Sequence, residues 1–355
     1  MDFELDQALP LRLRSPADVI TAVPPLLGFH PRDSLVLVSL AQEATSASMF
    51  VQFALRVDLP PPDRSARLVR YLSEVMAARR SEEILVVVVG GGGSGKPGEP
   101  PPHHELVEAL LAECSLVGVP GRIAVWASEI AEDAPWRSYQ NEDSSGQLPD
   151  PACAALAAEM VVTGQVIYAD RADLEAVVAP GDPAVLARRS DLLDAWLDEA
   201  VYTCRARPLD GPAAFELVNV WMTRARDGLL ELTDDQVVAL CLALNDVRVR
   251  DAAFGFALGG WAQAAERLWG TLVRECPDPD AAEPATLLAF SALVRGDTAL
   301  ATVALERAQL AWPGHRISSL LLNGLSSGIP PTTLRGWLTG GIEPAAVLLA
   351  NDETR

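Results

Sequence analysis

The chain has 355 residues, of which 49% are hydrophobic, and it carries a formal net charge of −20. This length and composition provide apolar material for about two or three domains of ordinary size, so a disordered chain is not expected. The negative charge disfavours nucleic acid as a partner, because that affinity comes from Lys and Arg side chains that neutralise phosphates. It disfavours anionic membrane surfaces for the same reason.

The sequence favours a cytoplasmic location. The first ten residues, MDFELDQALP, lack a basic segment followed by an apolar one, so no secretory signal is expected. No apolar run approaches the ~20 residues that span a bilayer. The five cysteines are widely separated and form no CxxC pair, which predicts reduced thiols rather than a disulfide framework: Cys114, Cys153, Cys204, Cys241 and Cys276.

A short helix is predicted at the start of the first domain. Ser15 suits the N-cap and Pro16 the first helical position, while Asp18 places a carboxylate near the exposed N–H groups of the first turn. Pro24 and Pro25 are expected to end this helix.

Strands and helices then alternate, which is the pattern of an α/β domain with a mixed sheet. SLVLVSL and MFVQFALRV flank a polar segment and predict an antiparallel hairpin. The run ILVVVV is apolar on both faces, as expected of a central strand. The remaining elements are helices at 63–80 and 104–117 and strands at 122–127 and 165–169, with the polar segment from Trp136 predicted as a loop.

The second half of the chain contains only helical patterns. The segment APGDPA (179–184) predicts a boundary between an α/β module, residues 1–180, and an all-helical domain, residues 181–355. Helices are predicted at 183–205, 212–227, 233–245, 247–258, 261–275, 284–295, 298–311 and 316–327.

A tetratricopeptide-like pattern of about 34 residues fits this second domain from about residue 282. Small residues at Ala289, Ala301 and Ala308 occupy the positions where neighbouring helices approach closely, whereas Glu306 and Gln309 are expected on the exposed face. An ordinary helical bundle is the alternative interpretation.

A glycine-rich segment follows the predicted central strand and resembles a phosphate-binding loop. Gly90, Gly95 and Lys96 have the spacing G-x-x-x-x-G-K, but Pro97 replaces the Ser or Thr that binds magnesium, and prolines follow instead of a helix. We therefore predict a loop that binds no nucleotide and no other cofactor.

Three further groups of polar residues fail to form a recognisable site. His104 and Glu108 lie one helical turn apart, but no HExxH motif is present, so no metal site is predicted. Asp191, Asp194 and Asp198 share a polar helix face. No serine lies in a nucleophile elbow, which leaves a hydrolase triad unsupported.

Several segments resemble a known family. The opening SPADVITAVPPLLGFHPRDSLVLVSL, the segments RVDLP and WRSY, and the late stretch RGDTALATVALERAQLAWPGH are similar to domain-of-unknown-function family 4192, found in actinobacteria. The resemblance covers most of the chain, but the family has no assigned activity. Relatives often carry cysteines after the WxSY segment, whereas this chain has QNEDSSGQLPDP there. Any metal-binding or redox role of those thiols would be absent here.

The same segments supply the candidate ligand-binding residues. These are charged residues beside apolar runs and an aromatic–polar cluster in a predicted loop: Arg14, Arg32, Asp33, Trp136, Ser138 and Tyr139. Loops held by a rigid sheet are common places for function. A structural salt bridge with core-packing aromatic residues is the alternative.

Two functions from different classes are consistent with this sequence. The first is a non-catalytic or regulatory cytoplasmic protein whose helical domain binds a protein partner while the α/β module recognises a ligand. The second is an enzyme acting on a small or nucleotide-like substrate at the ends of the sheet strands.

Overall fold

A computed structural model describes residues 15–42, 49–92, 99–153, 166–202, 210–327, 329, 333–340, 342 and 345. The chain divides into two compact units, Met1–Arg171 and Ala172–Arg355. The first unit contains a six-stranded sheet with helices, and the second is helical, in agreement with the predicted fold class. Among the described residues, no helix has both the length and the apolar character needed to cross a membrane.

Two short helices open the first unit. In α1 (Pro16–Thr21), the Ser15 hydroxyl accepts a hydrogen bond from the Asp18 N–H, and the Asp18 carboxylate accepts one from the Ser15 N–H. This reciprocal capping box begins the helix as expected. The two prolines do not simply end it, because they lie in the first turn of α2 (Val23–Leu27). Proline is tolerated there since first-turn N–H groups have no helical partner.

The sheet is mixed, with the strand order β2-β1-β3-β4-β5-β6. Strand β1 pairs antiparallel with β2 and β3, strand β3 pairs parallel with β4, and β5 and β6 continue antiparallel. The β1–β2 pairing confirms the predicted hairpin. The strands are β1 (Ser34–Gln42), β2 (Met49–Asp58), β3 (Glu83–Val89), β4 (Gly121–Ala127), β5 (Pro135–Ser138) and β6 (Ser145–Gln147).

Both faces of the central strands are buried. Helices α3 (Ser65–Ala78) and α4 (His104–Leu116) supply apolar residues to a core that includes Val86, Val88 and Trp126. A 3-10 helix (Pro62–Arg64) precedes α3, and a second one (Pro151–Cys153) follows β6. Residues of the opposite face, such as Val87 and Val125, are also fully buried, and α1 contacts β3 and β4.

Two predictions for the first unit are wrong. The polar segment beginning at WRSY is not all loop, because it contains β5 and β6, which extend the sheet beyond β4. The segment QVIYA does not form a strand in its described residues: Tyr168 makes only an isolated parallel bridge with Phe29.

The second unit is built from helices; the first of them, Arg171–Ala176, was not predicted, and those between residues 183 and 326 lie close to the predicted ranges. They are α5 (Arg171–Ala176, which begins at the division between the units), α6 (Pro183–Tyr202), α7 (Gly211–Arg226), α8 (Asp234–Leu244), α9 (Val247–Ala253, continued by a 3-10 helix, Phe254–Ala257), α10 (Ala262–Glu275), α11 (Ala282–Arg295), α12 (Thr298–Ala311) and α13 (Arg316–Ser326). Residues 333–340 are also helical.

Successive helices pack on one another from α10 to α13. The central helix α11 is buried continuously from Ala282 to Leu293. Ala289, Ala301 and Ala308 are fully buried, as expected where neighbouring helices approach closely, and both a helical repeat and an ordinary bundle would bury them. Gln309 was expected on the exposed face but is half-buried. Its Nε2 donates to the backbone oxygen of His315 and to the Ser318 hydroxyl, because the loop after α12 folds back on this helix.

Candidate functional site

A cavity of about 490 Å³ lies at one edge of the sheet. Because β3 and β4 are parallel, their carboxyl ends meet at this edge, and the antiparallel partner β1 begins there. The cavity is lined by residues from the loop before β1, the end of β3, the turn after β4 and residue 169: His30, Pro31, Arg32, Asp33, Val89, Gly90, Ser128, Glu129, Ile130 and Ala169. Two of these four chain segments, the loop before β1 and the turn after β4, therefore contribute polar side chains to one space.

One wall of the cavity is fixed by a close approach of two backbone segments. Asp33 has a left-handed φ of 42°, and its Oδ1 accepts a hydrogen bond of 2.8 Å from the Gly91 N–H. Gly90 has φ of 75°, and a Cβ at this position would lie 2.6 Å from Asp33 Oδ1. Trp126 Nε1 also donates to the Gly90 oxygen at 2.9 Å. Glycine is therefore required at position 90 by both conformation and space.

The guanidinium of Arg32 is the cationic group of the cavity. Arg32 is exposed, and within the described part of the chain its side chain makes no hydrogen bond or ion pair. Only its backbone oxygen is engaged, by the Ser34 hydroxyl at 2.6 Å and by Arg56. An unpaired arginine fork in a concave site is suited to a carboxylate or phosphate group, which it can bind with two parallel hydrogen bonds.

His30 adds an imidazole whose neutral form is favoured by its surroundings. Burial lowers the pKa of His30 below its ordinary value of 6.5, and the positive charge of Arg32 lowers it further, although a hydrogen bond with the Ile130 backbone opposes the shift. A neutral imidazole can accept as well as donate a hydrogen bond. With the carboxylates of Asp33 and Glu129 and the Ser128 hydroxyl, the cavity offers acceptors for the hydroxyl or amino groups of a ligand.

The structure brings together only two of the six predicted site residues, Arg32 and Asp33. Arg14 lies outside the described residues. Trp136 pairs with Ala127 and Ser138 pairs with Val125, so both lie on the sheet face opposite Trp126. Trp136 is 9% exposed, and the Ser138 hydroxyl accepts hydrogen bonds from the backbone of the following turn.

Tyr139 lies on the other face of the sheet. It packs at the edge of the core beneath α4, its ring stacks on His104 with centroids 6.2 Å apart, and its hydroxyl donates to the Pro102 oxygen. The packing of Trp136 and Tyr139 agrees with the alternative reading of the aromatic residues. The alternative for Arg32 and Asp33, a structural salt bridge, does not occur in the described structure.

The sequence analysis did not select His30, Ser128 or Glu129. A signal for them was present: His30 stands two residues before the Arg32–Asp33 pair, and the Ser128–Glu129 pair directly follows a predicted strand. Polar residues just beyond the carboxyl end of a strand belong to the edge where α/β proteins place ligand sites.

The segments considered for phosphate or metal binding give no such site among the described residues. Gly95 and Lys96 lie outside them, while Gly90, Gly91 and Gly92 all have left-handed φ values. His104 Nε2 lies 3.5 Å from Glu108 Oε1, one helical turn away. No group of three or more His, Cys, Asp or Glu residues that could hold a metal ion occurs in the described portion.

Comparison with known proteins identifies a family without a stated activity. A family model described as Domain of unknown function (DUF4192) matches residues 16–332, which includes the strand-end cavity and nearly all of the described helical unit. No curated protein and no solved structure matches the chain.

Proposed function

The chain belongs to domain-of-unknown-function family 4192, and because that description names no activity, we propose a function from the geometry of the site. The proposal is a ligand-binding regulatory protein of the cytoplasm. Its sheet unit binds a small molecule in the cavity at the strand ends, and its helical unit binds a protein partner.

The unpaired guanidinium of Arg32 in the strand-end cavity carries the first part of this proposal. The cavity volume of about 490 Å³ falls in the range of about 300–1,000 Å³ typical of small-molecule sites. Arg32 selects for an acidic group, because an arginine fork bonds best to a carboxylate or phosphate. Asp33 and Glu129 disfavour a purely anionic ligand, so the ligand also carries hydroxyl or amino groups that donate to these carboxylates.

The helical unit supports the second part. Successive packing from α10 to α13 is consistent with a helical-hairpin stack, an architecture that binds peptides and helices on extended surfaces. Leu310, Trp312 and Leu320 are 77%, 48% and 48% exposed, and they come from α12, the loop after it and α13. Contiguous exposed apolar patches mark protein-binding surfaces, and these three side chains lie within eleven positions of one another in the chain.

A binding screen tests the ligand site. Purified protein is mixed with small acids that also carry hydroxyl or amino groups, such as nucleotides, sugar phosphates and amino acids, and the thermal unfolding temperature is recorded. A bound ligand raises this temperature because it stabilises the folded state. Titration calorimetry then measures Kd for the wild type and for Arg32→Gln.

Arg122→Gln is the matched control, because Arg122 lies at the opposite end of β4 and pairs with Glu83 there. We expect Arg32→Gln to raise Kd by about tenfold or more, the loss expected for a charge-assisted hydrogen bond, and Arg122→Gln to leave Kd unchanged. Equal weakening by both variants, or ligand binding that does not depend on Arg32, would contradict the proposed site.

An enzyme acting at the same cavity is the second candidate, and His30 favours it. Its lowered pKa favours the neutral imidazole, the form in which a histidine acts as a general base. Incubation of the protein with each bound ligand, followed by mass spectrometry, detects turnover. Under the enzyme hypothesis His30→Gln abolishes product formation while Kd changes little; under the regulatory hypothesis the ligand is recovered unchanged.

A further inference from the structure

Two cysteines that are 35 positions apart in the sequence meet inside the helical unit. Cys241 lies within α8 and Cys276 directly follows α10, and their sulfur atoms are 3.0 Å apart, with the Cys241 thiol donating to the Cys276 sulfur. Both are thiols, and they are only 2% and 0% exposed. A disulfide has an S–S length of about 2.05 Å, so an approach of roughly 1 Å would bond them.

The same two elements are held together by a neighbouring arginine. Arg189, which is 4% exposed, donates to Asp234 in the first turn of α8 at 2.8 Å, and also to the carboxylate and the backbone oxygen of Glu275, the residue before Cys276. This clamp fixes the start of α8 relative to the end of α10. The two thiols are therefore kept together by the fold itself and need no covalent bond to stay close.

The pair differs from the other described cysteines. Cys114 is buried without a second thiol beside it, and burial raises its pKa to about 11. Cys153 is exposed, with its thiol near the Asp150 carboxylate. Neither can form a disulfide within the described structure, so the location of a second thiol, rather than exposure, distinguishes Cys241 and Cys276.

We propose that Cys241 and Cys276 are a reversible oxidation site that forms an internal disulfide with a hydroperoxide as oxidant. The Cys276 sulfur attacks one peroxide oxygen, the O–O bond breaks, and one water leaves as the sulfenic acid forms. The Cys241 sulfur then attacks the Cys276 sulfur, and a second water leaves as the S–S bond forms. Two thiols lose two electrons and two protons, and one hydrogen peroxide becomes two waters.

Burial sets the rate of this reaction. Donation to Cys276 and burial together hold the pKa of Cys241 well above its ordinary value, so near neutral pH little Cys241 thiolate is present for the step that forms the S–S bond, and the thiolate is the reactive form. A small uncharged oxidant reaches the pair when the end of α10 opens locally. Oxidation is accordingly slow, increases with pH and responds to sustained rather than brief exposure.

The disulfide would link α8 covalently to the residue that follows α10. The cross-link closes the chain between residues 241 and 276 and restricts the unfolded state, which is the usual way a disulfide stabilises a protein. We expect the unfolding temperature of the helical unit to rise by about 5–10 °C on oxidation and to return when a dithiol reductant is added.

Peptide mapping of the whole chain tests this inference. Native protein is incubated with hydrogen peroxide, the remaining thiols are blocked with iodoacetamide in denaturant, and trypsin is added without reductant. Cleavage after arginine places Cys241 in the peptide 227–248 and Cys276 in the peptide 275–295. We expect these two peptides to appear as one cross-linked species, 2 Da lighter than their sum, and to separate on reduction.

Cys241→Ser is the matched variant, because it keeps a polar group of similar size and removes one sulfur. It should give no cross-link and no rise in unfolding temperature. The inference is overturned if Cys153 becomes oxidised in the native wild type while both buried thiols are still fully alkylated. It is also overturned if the cross-link forms only in denaturant, or if either cysteine pairs with a different partner.

Discussion

Asp33 accepts a hydrogen bond from the Gly91 backbone 58 positions further along the chain, and this contact joins the loop before β1 to the loop after β3. The contact requires Gly90 beside it to have a left-handed conformation and no side chain. The shape of the cavity therefore depends on one carboxylate and two glycines.

Substitution of Gly90 should be more harmful than substitution of Gly92. Both residues have left-handed φ values, 75° and 71°, so alanine at either position costs about 1–2 kcal/mol of backbone energy. Only at position 90 would the new Cβ meet Asp33, at 2.6 Å, whereas nothing lies within 4 Å at position 92. We expect Gly90→Ala to lose at least about 1 kcal/mol more in urea unfolding. Equal losses would show that the Asp33 contact contributes nothing to stability.

The adjacent arginines 188 and 189 should differ sharply in importance although both bond to Asp234. The Arg189 side chain is 5% exposed and bonds to two carboxylates, whereas that of Arg188 is 56% exposed and bonds to one. Arg189→Met should lower the free energy of unfolding by about 1–3 kcal/mol, because two carboxylates and the Glu275 backbone oxygen lose the buried donor that joins them. Arg188→Met is the matched control and should change stability far less, since solvent screens an exposed pair. A larger loss for Arg188→Met would contradict the role assigned to the clamp.

Asp234 should make stability depend on pH under acidic conditions. Hydrogen bonds from Arg188 and Arg189 lower the pKa of Asp234 below its ordinary value of 3.8. The unfolded chain therefore binds this proton more readily, so the stabilisation is complete above about pH 4 and is lost as the pH falls through the lowered pKa. Urea unfolding of the wild type and of Asp234→Asn should differ at about pH 6 and converge towards about pH 2. Asp235→Asn, which removes the same charge one residue away, is the control for the loss of the charge itself.

Enlargement of the small residues in α12 tests the packing of the helical unit. Ala301 and Ala308 are fully buried, so Ala301→Leu and Ala308→Leu should each cost about 1–3 kcal/mol by overpacking. Leu310→Gln on the same helix is the control, because Leu310 is 77% exposed, and it should change stability by no more than about 0.5 kcal/mol. If the enlargements proved as harmless as the control, the repeat-like packing that supports a partner-binding helical unit would be lost.

Tyr139 should contribute to stability and not to ligand binding. Tyr139→Phe removes the hydroxyl that donates to the Pro102 oxygen and should cost about 1 kcal/mol. Since Tyr139 lies on the opposite face of the sheet from Trp136 and outside the strand-end cavity, Kd for the ligand should stay the same. If Tyr139→Phe raised Kd for the ligand and left the free energy of unfolding unchanged, Tyr139 would again be a candidate site residue.

Hydrophobic periodicity in the sequence was sufficient to predict the secondary-structure elements that are deeply buried. The run ILVVVV predicted the central strand β3, and the helices between residues 183 and 326 were located to within a few residues, because apolar residues recur there at helical spacing. The six-residue helix α5 was not predicted. Strands β5 and β6 were missed because they have only four and three residues. These strands form because β5 pairs with β4 and β6 pairs with β5, and their residue composition alone does not predict them.

The candidate site was only partly predictable. Arg32 and Asp33 were selected from the charged residues beside an apolar run, but Glu129 lines the same cavity only because β3 pairs parallel with β4. Cys241 and Cys276 looked unrelated because each belongs to a different helical segment, and no local pattern predicts which segments adjoin. Contacts between distant segments depend on tertiary packing, which one sequence does not encode in its periodicity.

The deep burial of β3 and α11 allows each unit to report its own unfolding. Val86, Val87 and Val88 are fully buried in a strand bonded on both sides, and α11 is buried along most of its length. Backbone amides in such places exchange with deuterium only when the surrounding unit opens globally. In the intact chain, exchange at β3 therefore measures the sheet unit and exchange at α11 the helical unit. A ligand in the strand-end cavity would slow the first, and oxidation of the thiol pair would slow the second.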